Sequence, residues 1–389
     1  MQRITLLKRW MSGCVCLLAA FVGGCQIAEP KSKLTEGSAG QLVSVHPAGR
    51  TDSEVAAYNI HYWTNSALSD MKPVLASALL LVPDVITSNA LTSYQHSTSV
   101  ARNDAPTISG TAHWVAAHTL AKTGRIVVAA DYLGFGIDQG PHPWLDAATE
   151  ASTIRDLLDA VPAALSKLAL PQVEVLDLVG FSQGAHATFA LASTLHDQPI
   201  PSMRLRTVIG IGGPYALSEI DIPAVVNGTS NPAIRSLVLS RIVLSAYLRG
   251  FQVDYMYSNG WQARIQELFD GTQTSEEVIA ALPADPSEMF TEQGWTDITN
   301  PDSQFGKWLA ATSDICSVDV ADVQVHLMHA SGDTHALPEN SRLCHARLQN
   351  AGTVVSLTDL GDIEHIPSGT AGVQLAAEIL SAADEQPTG

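Results

Sequence analysis

The feature that most constrains this 389-residue chain is a strand pattern, VEVLDLV at 173–179, that runs directly into Gly180-Phe-Ser182-Gln-Gly184 and out into a helical pattern over 183–195. As a bare pattern G-x-S-x-G is cheap, because at roughly 7% each of Gly and Ser it arises by chance in about one chain in eight of this length. The flanking strand and helix give it meaning. They describe a sharp turn that lifts a serine above the end of a sheet, with glycines where neighbouring backbones pass closely. Such a turn belongs to a mostly parallel sheet flanked by helices, the α/β class.

The rest of the chain supplies that sheet. Strand patterns lie at 78–83 (ALLLVP), 90–95 (ALTSYQ), 125–130 (RIVVAA), 206–211 (RTVIGI), 323–329 (VQVHLMH) and 354–360 (VVSLTDL). The run at 125–130 is apolar after its first residue, as expected of a strand covered on both faces. Ile154, Leu157, Leu158, Val161, Leu165 and Leu168 recur at spacings of three and four, which is one buried face of a helix despite Pro162. Between the strands at 206–211 and 323–329, about 214–318, no strand pattern is visible, but amphipathic runs occur at 234–248 and 261–268. That interval reads as a helical cap inserted over the carboxyl edge of the sheet. The organisation predicted is one domain over 46–389.

A serine hydroxyl attacks only when a base takes its proton, so a histidine oriented by a carboxylate is required. In the chain order that accompanies this turn the acid follows a late strand and the histidine follows the last. Asp333 stands in the turn after 323–329, and His365 follows 354–360. The predicted catalytic set is therefore Ser182, Asp333 and His365. Asp362 and Glu364 compete as orienting acids but stand so close to His365 in sequence that they would struggle to reach its Nδ1 while the ring faces Ser182. His335 and His345 compete as bases, yet neither occupies the turn after the final strand. The oxyanion formed during acyl transfer needs two preorganised N–H donors. The backbone of Gln183 is one, and the loop Tyr94-Gln-His96-Ser97-Thr98 offers the other at Thr98. No metal site or cofactor is implied. The histidines lack the paired spacing of a zinc protease, and Gly134-Phe-Gly136 lacks the third glycine of a nucleotide loop.

The first 24 residues pair a basic start with a short apolar run ending in small residues, the pattern of an exported protein. Val22-Gly23-Gly24-Cys25 resembles the lipobox of bacterial lipoproteins, which implies cleavage before Cys25, lipid on that cysteine and a place in the cell envelope. By the same resemblance, Gln26 after the cysteine, being other than Asp, permits outer-membrane sorting, with the chain facing the periplasm or at the cell surface. Residues 26 to about 45 read as a tether. Loss of the leader removes Arg3, Lys8 and Arg9 and no acid, taking the formal charge from −18 to −21. So acidic a chain is repelled by nucleic acid and by anionic headgroups, so that membrane association would rest on the lipid alone. No obligatory protein partner is evident. With Cys14 and Cys16 in the leader and Cys25 lipidated, Cys316 and Cys344 remain for one disulfide, worth about 3 kcal/mol by loop-closure entropy. That bridge would pin the cap's end to the helix behind Asp333.

Tyr94-Gln-His-Ser-Thr98, Asp131-Tyr-Leu-Gly-Phe-Gly136, Gly140-Pro-His-Pro-Trp144, Gly180-Phe-Ser-Gln-Gly184, Gly213-Pro-Tyr215 and Asp333 followed by Pro338-Glu-Asn340 occur in order along the chain. This series resembles the bacterial α/β-hydrolases related to secretory lipases of the Candida lipase A type, over about residues 75–380. The resemblance implies an α/β-hydrolase fold, esterase or lipase activity under a helical cap, and His96, Asp131 and Tyr132 near the nucleophile. Ser97 departs from it, since the family usually has glycine after the histidine. Two other functions fit the same residues: a serine peptidase or amidase, and a catalytically inactive lipoprotein that uses the fold to bind.

Overall fold

Alternate side chains of the central strands enter two different cores, and this two-residue period builds the molecule. The structure, a computed structural model, describes residues 37–50, 54–66, 72–316 and 323–385. Its strands are β1 (Leu42–Arg50), β2 (Val55–Asn65), β3 (Pro73–Pro83), β4 (Ala90–Gln95), β5 (Ile126–Ala130), β6 (Val175–Phe181), β7 (Arg204–Ile211), β8 (Gln324–His329) and β9 (Val355–Asp359). They form one sheet in the order β1-β2-β3-β5-β4-β6-β7-β8-β9. The pairs β1–β2, β2–β3 and β3–β5 are antiparallel, and all others are parallel.

Ile126, Val128, Leu176 and Leu178 turn to one face, where they meet Leu157, Val161 and Phe189. Val127, Ala129, Val179 and Phe181 turn to the other and meet Leu120, Val373 and Leu380. The first face is covered by α2 (Ala147–Lys167) and α3 (Gln183–Asp197), the second by α1 (Ala112–Ala121) and α11 (His365–Asp384). The predicted apolar stripe lies in α2, which continues through Pro162. The far end of α11 is locked beneath the sheet: Arg125, fully buried, donates to Asp177 at 2.9 Å, to Asp384 and to the carbonyl of Leu380. Arg206 bridges the same two carboxylates. Anchoring that end fixes the helix whose first residue is His365.

Among the described residues six α-helices lie between β7 and β8: α4 (Ile222–Asn227), α5 (Arg235–Leu248), α6 (Trp261–Leu268), α7 (Ser275–Ala281), α8 (Glu292–Thr299) and α9 (Gln304–Ser313). They enclose an apolar core of their own, into which Trp144 and Leu145 reach from the loop before α2. Beyond the insertion comes α10 (Pro338–Asn350), and Cys344 on it is bonded to Cys316, just after α9, with Cα atoms 5.1 Å apart. The bridge thus ties the end of the insertion to the helix following Asp333.

Two strand readings need correction. β1 and β2 were not foreseen, and the stretch read as a tether to about residue 45 already enters the sheet at Leu42, which pairs with Tyr62. The physical reason is their position at one side of the sheet, β1 as the edge strand and β2 next to it, where polar residues such as His46, Asn59 and His61 interrupt the apolar pattern that identifies buried strands. Helix α1 was likewise not foreseen. The leader, the lipobox and Cys25 lie outside the described residues.

Candidate active site

The turn after β6 is built by close backbone approach. Ser182 adopts φ +56° and ψ −120°, a region costly for a residue with a Cβ, and its N–H is held by the carbonyl of Ile211 at 2.8 Å. A Cβ on Gly184 would overlap the carbonyl of Gln95, and one on Gly180 would overlap the carbonyl of Gly184. These two glycines let the turn tighten until the serine stands at the sheet's end.

Three loops converge there. His365 Nε2 lies 2.8 Å from Ser182 Oγ, and His365 Nδ1 lies 2.6 Å from Asp333 Oδ2. The other carboxylate oxygen of Asp333 accepts the backbone N–H groups of His335 (2.8 Å) and Ala336 (3.0 Å). The acid is therefore fully bonded in a buried turn, which fixes the imidazole's orientation. Phe181 packs on the His365 ring at 4.8 Å between centroids. Glu364 turns instead toward Thr334 Oγ1, and Asp362 has no bond to the imidazole. The His335 ring lies 5.2 Å from that of His365 and lines the same cavity, while His345 sits on α10.

The hydroxyl opens into a cavity of about 210 Å³. Leu217, Val225, Ile234, Leu237 and Val238 of the insertion form its apolar wall, and Ser97, Thr98, Trp144 and Asp221 also line it. Thr98 thus reaches the cavity, and its Oγ1 accepts from Trp144 Nε1 at 3.0 Å. Ser97 does not take a left-handed backbone conformation, so its Cβ meets no φ penalty there. Gln183 is the first residue of α3, and its N–H has no partner within the helix. Its side-chain amide donates to Glu150 Oε1 and to His142 Nε2, both at 2.8 Å. His142 can accept because burial holds it well below its ordinary pKa and its other nitrogen faces the carbonyl of Leu133 at 2.8 Å. Glu150 also meets His186 Nδ1 at 2.7 Å. This buried network braces the residue after the nucleophile; of its members the sequence had singled out Gln183, for its backbone, and the neighbourhood of His142, but not Glu150 or His186.

The structure places the remaining foreseen residues behind the site. His96 stacks on Tyr132 at 4.2 Å and burial lowers its pKa to about 4, so it is neutral at pH 7. Tyr132 takes φ +63° and donates to the carbonyl of His96 at 3.3 Å. Asp131 accepts from Ser77 Oγ at 2.5 Å and from Thr107 N and Oγ1 at 3.0 and 2.7 Å. Burial pushes it up to about 6. None of the three lines the cavity that holds Ser182. They buckle the loops beneath it.

Asp221 was not foreseen. It is buried in the cavity wall, and both its oxygens face Asn340 Nδ2 at 3.1 Å. Burial, with repulsion from Asp333, pushes its pKa from 3.8 to about 7. Between those values the folded state binds more protons than the unfolded one, so this group's contribution is full below pH 3.8 and is lost as pH rises through about 7. Asp221→Asn is therefore expected to gain melting temperature relative to the parent as pH climbs from 4 to 8. Thermal melts across that range check it, and parallel curves would contradict it. The opposing titrations of Asp131 and His96 are common to both proteins and cancel in the difference.

No family model and no curated protein matches this chain. Solved structures do. A candidate hydrolase from Legionella pneumophila superposes with a TM-score of 0.81 at 21% identity, covering 90% of this chain and 99% of its own. The rice cell wall degrading esterase LipA from Xanthomonas oryzae gives 0.77 at 21% identity, covering 90% and 100%. Candida antarctica lipase A gives 0.66 at 16% identity, covering 85% and 78%. At these identities the likeness carries the fold, and the fold is that of an α/β-hydrolase. Among the described residues no helix is long and apolar enough to cross a membrane.

Proposed function

We propose that this α/β-hydrolase-fold chain is a serine carboxylic-ester hydrolase acting through an acyl-enzyme. The observation that carries the reading is the unbroken line from Asp333 Oδ2 through His365 to Ser182 Oγ at the floor of an apolar cavity. Ser182 attacks the ester carbonyl as His365 Nε2 takes its proton. The backbone N–H groups of Gln183 and Thr98 receive the oxyanion. His365 then returns the proton to the departing alcohol, and water, activated by the same imidazole, releases the acid. Asp333 holds the imidazole in place and stabilises the imidazolium.

Aliphatic walls favour an acyl chain, and an alkoxide leaves more readily than an amine, so an ester is the substrate these surroundings support over an amide. We further propose that the chain is exported and held at the envelope by lipid on Cys25, where it would meet lipid or other small-molecule esters. The reading is tested with p-nitrophenyl esters of graded acyl length beside p-nitroanilides of the same acyl groups. Ester turnover exceeding anilide turnover at every length is expected. Anilides cleaved as fast as esters would replace the reading with a peptidase or amidase.

A further inference from the structure

Arg241, on α5, is buried to 3% exposure, yet among the described residues no carboxylate oxygen lies within ion-pair distance of it. Its Nη1 donates to the carbonyl of Ser99 at 2.8 Å, and its guanidinium lies 5.0 Å from the Trp144 ring and 5.6 Å from that of Phe269. Glu150 acts favourably on Arg241 through space, but its oxygens are taken by Gln183 and His186. Burial brings the guanidinium down to about 9, which marks a strongly desolvated cation. An unpaired buried charge is costly, and aromatic faces offset only part of that cost.

Arg241 lines a small, partly open cavity with room for one water-sized particle, about 10 Å³. A second cation, Arg102, lines the same cavity. Its Nη2 donates to the carbonyl of Gln139 at 3.1 Å, while its Nε is buried with no hydrogen-bond partner. Asp270, which feels Arg102, is exposed and accepts instead from Thr272. His142, also on the wall, is neutral, with both ring nitrogens already engaged. Two arginines thus face a hole in which no carboxylate stands, and the hole is too small for sulfate, phosphate or a carboxylate.

We propose that this cavity binds a single halide ion between the Arg241 guanidinium and the Arg102 Nε–H. The ion supplies the counter-charge that Arg241 lacks. It also bears on the neighbouring site, because Arg241 holds Ser99 and lies over Trp144, whose indole holds Thr98. Halide occupancy steadies the cap against the loop that lines the Ser182 cavity. The proposal does not depend on the ester-hydrolase reading, and binding and stability test it without turnover.

Crystals grown in sodium bromide are expected to show an anomalous peak against Arg241 in this cavity. At equal ionic strength, melting in sodium chloride is expected roughly 2–4 °C above melting in sodium gluconate. Arg102→Met, which keeps the Arg241 contacts, should abolish that difference, as should Arg241→Met if it folds. A water in place of bromide with equal melting in both salts would overturn the site. A chloride effect that persists in Arg102→Met would overturn it too.

Discussion

Ser182→Ala is expected to lower kcat for an activated ester by about 10⁶, leaving only the acceleration that the oxyanion donors and substrate binding give by themselves. The loss is confined to chemistry because alanine keeps the same Cβ at φ +56° and removes only the hydroxyl, whose bond is to His365 Nε2. The fold should melt at the parent temperature. The check is turnover of a p-nitrophenyl ester, corrected for the spontaneous rate, alongside a thermal melt. Residual activity within tenfold of the parent would place the nucleophile elsewhere.

Asp333→Asn should cost about 10⁴ in kcat at neutral pH while leaving the loop in place. The local hydrogen bonds say why. One oxygen of Asp333 accepts two backbone N–H groups, from His335 and Ala336, and the other faces His365 Nδ1. An asparagine has a single acceptor oxygen, and the two backbone donors claim it. Its NH₂ is then left facing Nδ1, which must become the acceptor. The imidazole proton moves to Nε2, where it points at Ser182 Oγ and prevents the ring from acting as a base. kcat measured for this variant against Asp333→Ala checks the argument. Near-parental kcat in Asp333→Asn would mean that Asp333 does not set the tautomer.

The three residues proposed as the catalytic set could be picked out of the sequence because each stands after the carboxyl end of a strand whose apolar run is visible there: Ser182 after β6, Asp333 after β8, His365 after β9. Strand, turn and residue type are local signals. The parts that stayed hidden depend on burial and on contacts between distant segments. Glu150 sits in α2 with nothing in its neighbours to separate it from a solvated helix acid, yet it is enclosed with Gln183 and His186. Arg241 reads as one basic residue on an amphipathic helix, and only the packing of α5 over Trp144 removes it from water. Asp221 lies between β7 and α4, where no periodic pattern assigns a side chain to a cavity wall. β1 and β2 escaped notice for the complementary reason. Polar residues on the edge strand β1 and on its neighbour β2 break the pattern, so the sequence carries no continuous apolar run there. Asp131 and Tyr132 were placed near the nucleophile by resemblance, and their hydrogen bonds show a buckle under the loops that does not touch the cavity.

The most direct test is covalent. Incubation with an alkyl fluorophosphonate should add one phosphonyl group per chain, mapped by peptide mass spectrometry to Ser182, with none on Ser182→Ala and a rate lowered by about 10³ or more on His365→Ala. A parent protein left unmodified, or modified only at another serine, would contradict the claim that His365 activates the hydroxyl of Ser182.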